Sequence, residues 1–140
     1  MGETQKNKTL VIRNEIDELN RLVVFLEELE EEWELPMVLV SSVNLALEEA
    51  LSNIIFYAFD KGTKNEISIE FKLEGNGMEI VLTDAGKPYD PTQKDDPDIN
   101  LPAEERPIGG LGVFLIKQIM NEVSYRRIND KNQLTLVKRW

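Results

Sequence analysis

The chain has 140 residues, enough for one domain with a buried core, and its composition is that of a soluble globular protein. A formal net charge of -10 argues against a nucleic-acid partner, which would need a basic footprint. The absence of cysteine excludes disulfides and thiolate metal sites; the absence of histidine removes the commonest general base and the commonest transition-metal ligand, while oxygen ligation of a metal stays open.

The N-terminal MGETQKNK lacks the apolar core of a secretory signal, and no stretch reads as long enough to span a membrane, so a cytoplasmic protein without membrane attachment is expected. KTLVIR, residues 8 to 13, reads as a strand. Asn14 can cap a following helix, with Glu15, Asp17 and Glu18 suited to its first turn. Ile16, Leu19, Val23, Leu26 and Leu29 or Trp33 recur at helical spacing, and EELEEEWE forms the solvated opposite face. Pro36 ends this helix and opens a second, running to about Phe59, with Val40, Val43, Leu47, Ala50, Leu51, Ile54 and Ala58 on its buried side. EISIEFKL alternates with Ile67, Ile69, Phe71 and Leu73 on one side, EGNG turns the chain, and MEIVLTD returns as its partner.

From Ala85 to Gly110 periodicity vanishes, and five of the six prolines fall there. A loop of that length in a compact domain is a functional lid or a disordered segment. LGVFLIKQIMNEV then forms a helix with Val113, Ile116 and Met120 on one stripe, and VSYRRI and QLTLVKRW make a last strand pair joined at NDKN. The pattern is one α+β domain over residues 1–140, a mostly antiparallel sheet covered by helices on one face.

Three short motifs carry chemistry. In EEALSN, residues 48 to 53, Glu49 and Asn53 lie one above the other on a helix face: a proton acceptor beside a possible Mg²⁺ ligand. In TDAGKP, Asp84 ends a strand where a carboxylate can accept from an exocyclic amine, and Gly86 permits close backbone approach. In GGLG, Gly109, Gly110 and Gly112 clear side chains from a helix start, whose unpaired N–H groups suit phosphate. It is neither a Walker A loop nor a dinucleotide fingerprint. Taken singly, each also has an ordinary reading: a solvated helix pair, a strand-ending turn, a loop end.

In this order the three resemble the boxes of the GHKL ATPases, the superfamily of gyrase and the histidine kinases. The chain is most similar to the stand-alone anti-sigma-factor serine/threonine kinases of bacterial partner switching. EEALSN matches the N-box, DAGKP the first glycine box and GGLGVFLI the second, and the likeness spans roughly residues 9 to 138. The resemblance implies a two-layer α/β sandwich of the Bergerat type, with an ATP lid over about residues 87–110. It implies Glu49 as general base toward a substrate hydroxyl, Asn53 as Mg²⁺ ligand, Asp84 as reader of the adenine amine with Gly86 beside the base, and Gly110 and Gly112 as phosphate donors with Gly109 as hinge. Lys94 and Arg106 would be lid cations, and Thr135 a hydrogen-bond partner near the adenine. The implied ligands are ATP or ADP with Mg²⁺; the implied partners are an anti-sigma-factor antagonist, a sigma factor and a second copy of the chain. Related kinases commonly carry His where this chain has Tyr57, which leaves open a nucleotide-dependent regulatory protein without phosphotransfer.

Overall fold

The computed structural model describes residues 6–93 and 110–140. Five strands, β1 (Lys6–Arg13), β2 (Glu66–Glu74), β3 (Gly77–Asp84), β4 (Glu122–Ile128) and β5 (Lys131–Arg139), form one antiparallel sheet in the order β1-β2-β3-β5-β4. Three helices, α1 (Leu19–Glu32), α2 (Met37–Tyr57) and α3 (Gly110–Ile119), share its buried core. The architecture is the expected two-layer α+β sandwich.

Alternation sets the two faces of the sheet. Ile67, Ile69, Phe71 and Leu73 of β2, Met78, Ile80 and Leu82 of β3, and Leu134 and Leu136 of β5 are buried under the helices. The residues between them, among them Glu70, Lys72, Glu79, Val81 and Thr135, border an open hollow on the other face. Burial of this many apolar side chains, at about 1.5–3 kcal/mol each, is what drives the layers together. The two hairpins close by different turns. Between β2 and β3 a positive φ of 60° falls on Gly75 alone of the two loop residues, the type II′ pattern; between β4 and β5, Asn129 and Asp130 both have positive φ, the type I′ pattern.

α2 follows the expected pattern, with all seven of the residues assigned to its apolar side buried. By length and composition alone this 21-residue helix could cross a membrane, contrary to the reading of the sequence, but 56% of its apolar window is buried inside the fold, where it serves as the central helix.

Two expectations near the N-terminus need correcting. Asn14 does not cap a helix. Its amide clamps the approach to β2, donating to Thr63 O at 3.0 Å and accepting from Asn65 N at 2.8 Å, and the chain passes through a 3₁₀ turn, Ile16–Glu18, before α1. That detour shifts the phase of α1. Its buried stripe is Leu22, Leu26, Leu29 and then Trp33, while Ile16 and Val23 are exposed. Glu34, at a φ of 53°, ends the helix in the left-handed conformation, with Leu35 N donating to Glu30 O. Pro36 then stands in extended backbone just before α2.

Candidate functional site

Among the described residues three polar side chains are buried in the fold: Asn53 (6% exposed), Asp84 (3%) and Asn132 (4%). They come from three elements, yet all line the same pocket, together with Ala50 and Ile54 of α2, Ala58 just past its end, Ile116 of α3 and Tyr89 of the strap that follows β3. Burying a polar group costs free energy unless it is partnered. Three of them gathered at one point therefore mark a place where each must find a partner.

Topology explains the meeting point. β3 and β5 are neighbours at the centre of the sheet, and their register sets Asp84 opposite Asn132. After Asp84 the chain crosses the C-terminal end of α2, where Lys87 N donates to Ala58 O at 2.7 Å. Gly86 makes this crossing possible, because a Cβ there would stand 2.5 Å from the Ala58 carbonyl oxygen.

The Asp84 carboxylate accepts from Gly86 N and from Asn132 Nδ2, both at 2.9 Å and both on Oδ1. Burial pushes its pKa above the ordinary carboxylate value, opposed by those two hydrogen bonds and the Arg127 charge. Asn132 in turn donates to Lys87 O at 2.8 Å and accepts from Tyr89 N at 3.2 Å, Tyr125 Oη and Arg127 Nη1. Arg127 Nη1 also donates to Gly86 O at 2.8 Å.

Asn53 differs from the other two, because its Nδ2 has no hydrogen-bond partner among the described residues. An unmet buried donor costs about 1–3 kcal/mol, so this amide has the capacity to meet an acceptor in the pocket. Glu49 lies one turn earlier on α2 and is half-buried; its neighbour Glu48 is engaged by Asn44 Nδ2 at 3.0 Å. Tyr57 stacks on Tyr89 with ring centroids 5.4 Å apart and planes at 25°. Burial, with Tyr57 adding to it, raises the Tyr89 phenol pKa.

Tyr89 and Pro91 of the strap line the pocket too, which holds about 10 Å³, room for about one water. Larger hollows lie elsewhere: about 520 Å³ across the open sheet face and about 680 Å³ between the 3₁₀ turn and the end of α2. Both are open to solvent and contain none of the three buried polar residues, so volume is a poorer guide here than polar burial.

The structure thus brings Asp84, Gly86 and Asn53 together, with Glu49 one turn away. Gly110 and Gly112 fall within the first turn of α3, rather than ahead of it, and α3 reaches the pocket through Ile116. Thr135 is a correction. Leu134 and Leu136 point to the core, so Thr135 is turned to the opposite, open face of the sheet, away from Asp84. Lys94, Arg106 and Gly109 lie outside the described residues. Sequence reasoning passed over Asn132, Arg127 and Tyr89; NDKN was taken only as a turn, and the register that sets Asn132 opposite Asp84 leaves no local mark.

A family described as "Histidine kinase-like ATPase domain" matches residues 12–138. The chain belongs to this family. Among its relatives are a serine/threonine-protein kinase, BtrW, of Bordetella bronchiseptica, 32% identical over 95 residues (68% of this chain, 67% of that one), and a serine-protein kinase, RsbW, of Listeria monocytogenes, 32% identical over 88 residues (60% and 56%). The RsbW of Bacillus thuringiensis is 31% identical over 105 residues, 72% of this chain and 64% of its own. The matches thus span between just over half and two thirds of these relatives' lengths. A crystal structure of the RsbU and RsbW domains of a Mycobacterium tuberculosis protein superposes with a TM-score of 0.68 at 12% identity, over 96% of this chain and 32% of that one. The histidine kinase domain of a blue-light activated kinase from Erythrobacter litoralis gives 0.57 at 12% identity, over 89% and 60%. At such identity these two share the fold alone. The histidine kinase-like ATPase fold thus accounts for the sheet order and the helical layer, and a nucleotide is its natural ligand.

Proposed function

We propose that this protein is an anti-sigma-factor serine/threonine kinase of a partner-switching system, transferring the γ-phosphoryl group of ATP to a hydroxyl on an antagonist protein. The observation that carries this reading is the convergence of Asn53, Asp84 and Asn132 on one pocket, a turn away from Glu49, in a chain whose relatives are named serine-protein kinases. In this reading the protein is one domain over residues 1–140, its lid at about 87–110, and it acts as a homodimer in the cytoplasm that also binds a sigma factor.

The residues fit a magnesium nucleotide. Asp84 presents a buried carboxylate whose Oδ2 is not used by the bonds from Gly86 and Asn132, and it accepts the adenine amine. The unmet Nδ2 of Asn53 suits a phosphate oxygen, and its amide oxygen would be the atom to hold Mg²⁺. When bound, the metal neutralises charge on the phosphate oxygens. The N–H groups opening α3, at Gly110 and Gly112, donate to the phosphates. Lys94 and Arg106 supply lid cations. Glu49 takes the proton of the acceptor hydroxyl as its oxygen bonds to the γ-phosphorus and the bond to the leaving ADP oxygen breaks. Because the pocket as it stands admits about one water, the side chain of Tyr89 and the strap beyond it must move aside for the base to enter.

A second reading is a nucleotide-dependent binding protein without phosphotransfer. The Tyr57–Tyr89 stack favours it, since Tyr57 is committed to packing where related kinases carry a His. Titration of the protein with Mg-ATP and Mg-ADP, followed by transfer from labelled ATP to a serine-bearing antagonist protein from the same genome, tests both. Absence of any nucleotide binding rejects both readings; binding without transfer selects the second.

A further inference from the structure

The Asn132 side chain is the most heavily bonded polar group near the pocket. Its two amide hydrogens go to Asp84 Oδ1 and Lys87 O, at 2.9 and 2.8 Å, and its oxygen accepts from Tyr89 N, Tyr125 Oη and Arg127 Nη1. A buried amide satisfied on both sides has one orientation, and it passes that orientation to its partners. Toward β3 it fills one oxygen of Asp84; toward the strap it ties Lys87 and Tyr89 to the same point.

We propose that Asn132 is the positioning residue that sets base selectivity at this nucleotide site, by holding Asp84 as a charged acceptor of fixed orientation. The inference rests on the nucleotide-binding reading above. With Oδ1 occupied by Gly86 N and Asn132 Nδ2, the carboxylate cannot rotate freely, and Oδ2 faces a base as an acceptor only. An exocyclic amine at position 6 of a purine satisfies it, whereas a carbonyl at that position meets repulsion. Without Asn132, Oδ1 loses one of its two donors and the carboxylate loses its fixed plane. It also protonates more readily in its buried setting, and a protonated acid can donate to a carbonyl. Discrimination between the two bases then collapses.

The test compares ATP with inosine triphosphate, which carries a carbonyl where adenine carries its amine, by titrating the full-length protein in the presence of Mg²⁺. Wild type should prefer ATP. Asn132→Ala should lose about tenfold in ATP affinity, about 1.4 kcal/mol, while affinity for inosine triphosphate changes by less than about threefold. Gln133→Ala, the next residue along β5 but on the opposite face of the sheet and outside this network, should keep the wild-type ratio. Loss of packing alone would weaken both nucleotides together and leave the ratio unmoved. If Asn132→Ala does not fold, Asn132→Ser serves in the same comparison. A variant at position 132 with the wild-type preference overturns this inference and leaves the nucleotide-binding reading standing; wild type that binds neither nucleotide overturns both.

Discussion

Gly86 and Ala58 are in backbone contact: a Cβ at Gly86 would lie 2.5 Å from the Ala58 carbonyl oxygen and 2.9 Å from Asp84 Oδ1. The first atom is backbone at the end of a buried helix, and the second is a carboxylate held by two hydrogen bonds. Neither can yield cheaply. Gly86→Ala is expected to cost about 1–3 kcal/mol of stability, as overpacking does, and to displace Asp84 as well. Urea denaturation measures the first effect and Mg-ATP titration the second. A variant with wild-type stability would show that the crossing of the strap over α2 is looser than this geometry requires.

Asp84 should give opposite pH signatures in stability and in binding. Burial raises its pKa in the folded state against the pull of Asn132, Gly86 and Arg127, and burial also raises the phenol of Tyr89 in the same pocket. A raised carboxyl pKa means that the native state binds protons more tightly than the unfolded chain. Its contribution to stability is therefore complete below the unfolded value and is lost as pH rises through the folded one. Affinity for ATP should rise across that same interval, because the amine needs the ionised acceptor. Asp84→Asn should remove both dependences, stabilise the ligand-free protein at neutral pH by about 1 kcal/mol, and weaken ATP. Thermal melts and titrations across the acidic range check the pair of slopes.

Much of the site could be read from the chain because its residues lie in local patterns. Glu49 and Asn53 are one helical turn apart, and Asp84 and Gly86 end a strand that alternates cleanly, so periodicity places each pair on its element, while the family resemblance is what joined them in one site. The apolar sides of α2 and β2 follow for the same reason. What was missed depends on long-range register. Asn132 meets Asp84, 48 residues away in the chain, only because β5 pairs with β3, and Thr135 was misplaced because one step along a strand reverses the face. The phase of α1 slipped for a related cause, since Asn14 bonds to residues 49 and 51 positions distant instead of capping the helix beside it.

Asn53 is the buried amide whose Nδ2 is unmet, and its neighbours in the pocket wall include Ala50, Ile54, Ile116 and Leu134. Replacing it by an apolar side chain of similar size removes the orphaned donor and suits that wall. Asn53→Leu should therefore raise the stability of the ligand-free protein by about 1 kcal/mol, within the cost assigned to such a donor. The same change should abolish the thermal stabilisation by Mg-ATP, which for wild type at a hundred times its dissociation constant is about 2.7 kcal/mol. Persistence of that stabilisation in Asn53→Leu would remove Asn53 from the proposed metal and phosphate contacts.

Glu49 separates the two functional readings. It is half-buried and does not line the base pocket, so Glu49→Gln keeps size and hydrogen-bonding capacity while removing the ability to take a proton. If Glu49 is the general base, the variant should bind Mg-ATP within about twofold of wild type while transfer to the antagonist protein falls by about 10²–10⁴. Equal binding with equal transfer would assign the proton to another acceptor. Loss of binding together with transfer would instead make Glu49 part of the phosphate or metal contacts, in the same role as Asn53 one turn on. Single-turnover transfer from pre-bound ATP distinguishes these cases, because it reads the chemical step after the nucleotide is already in place.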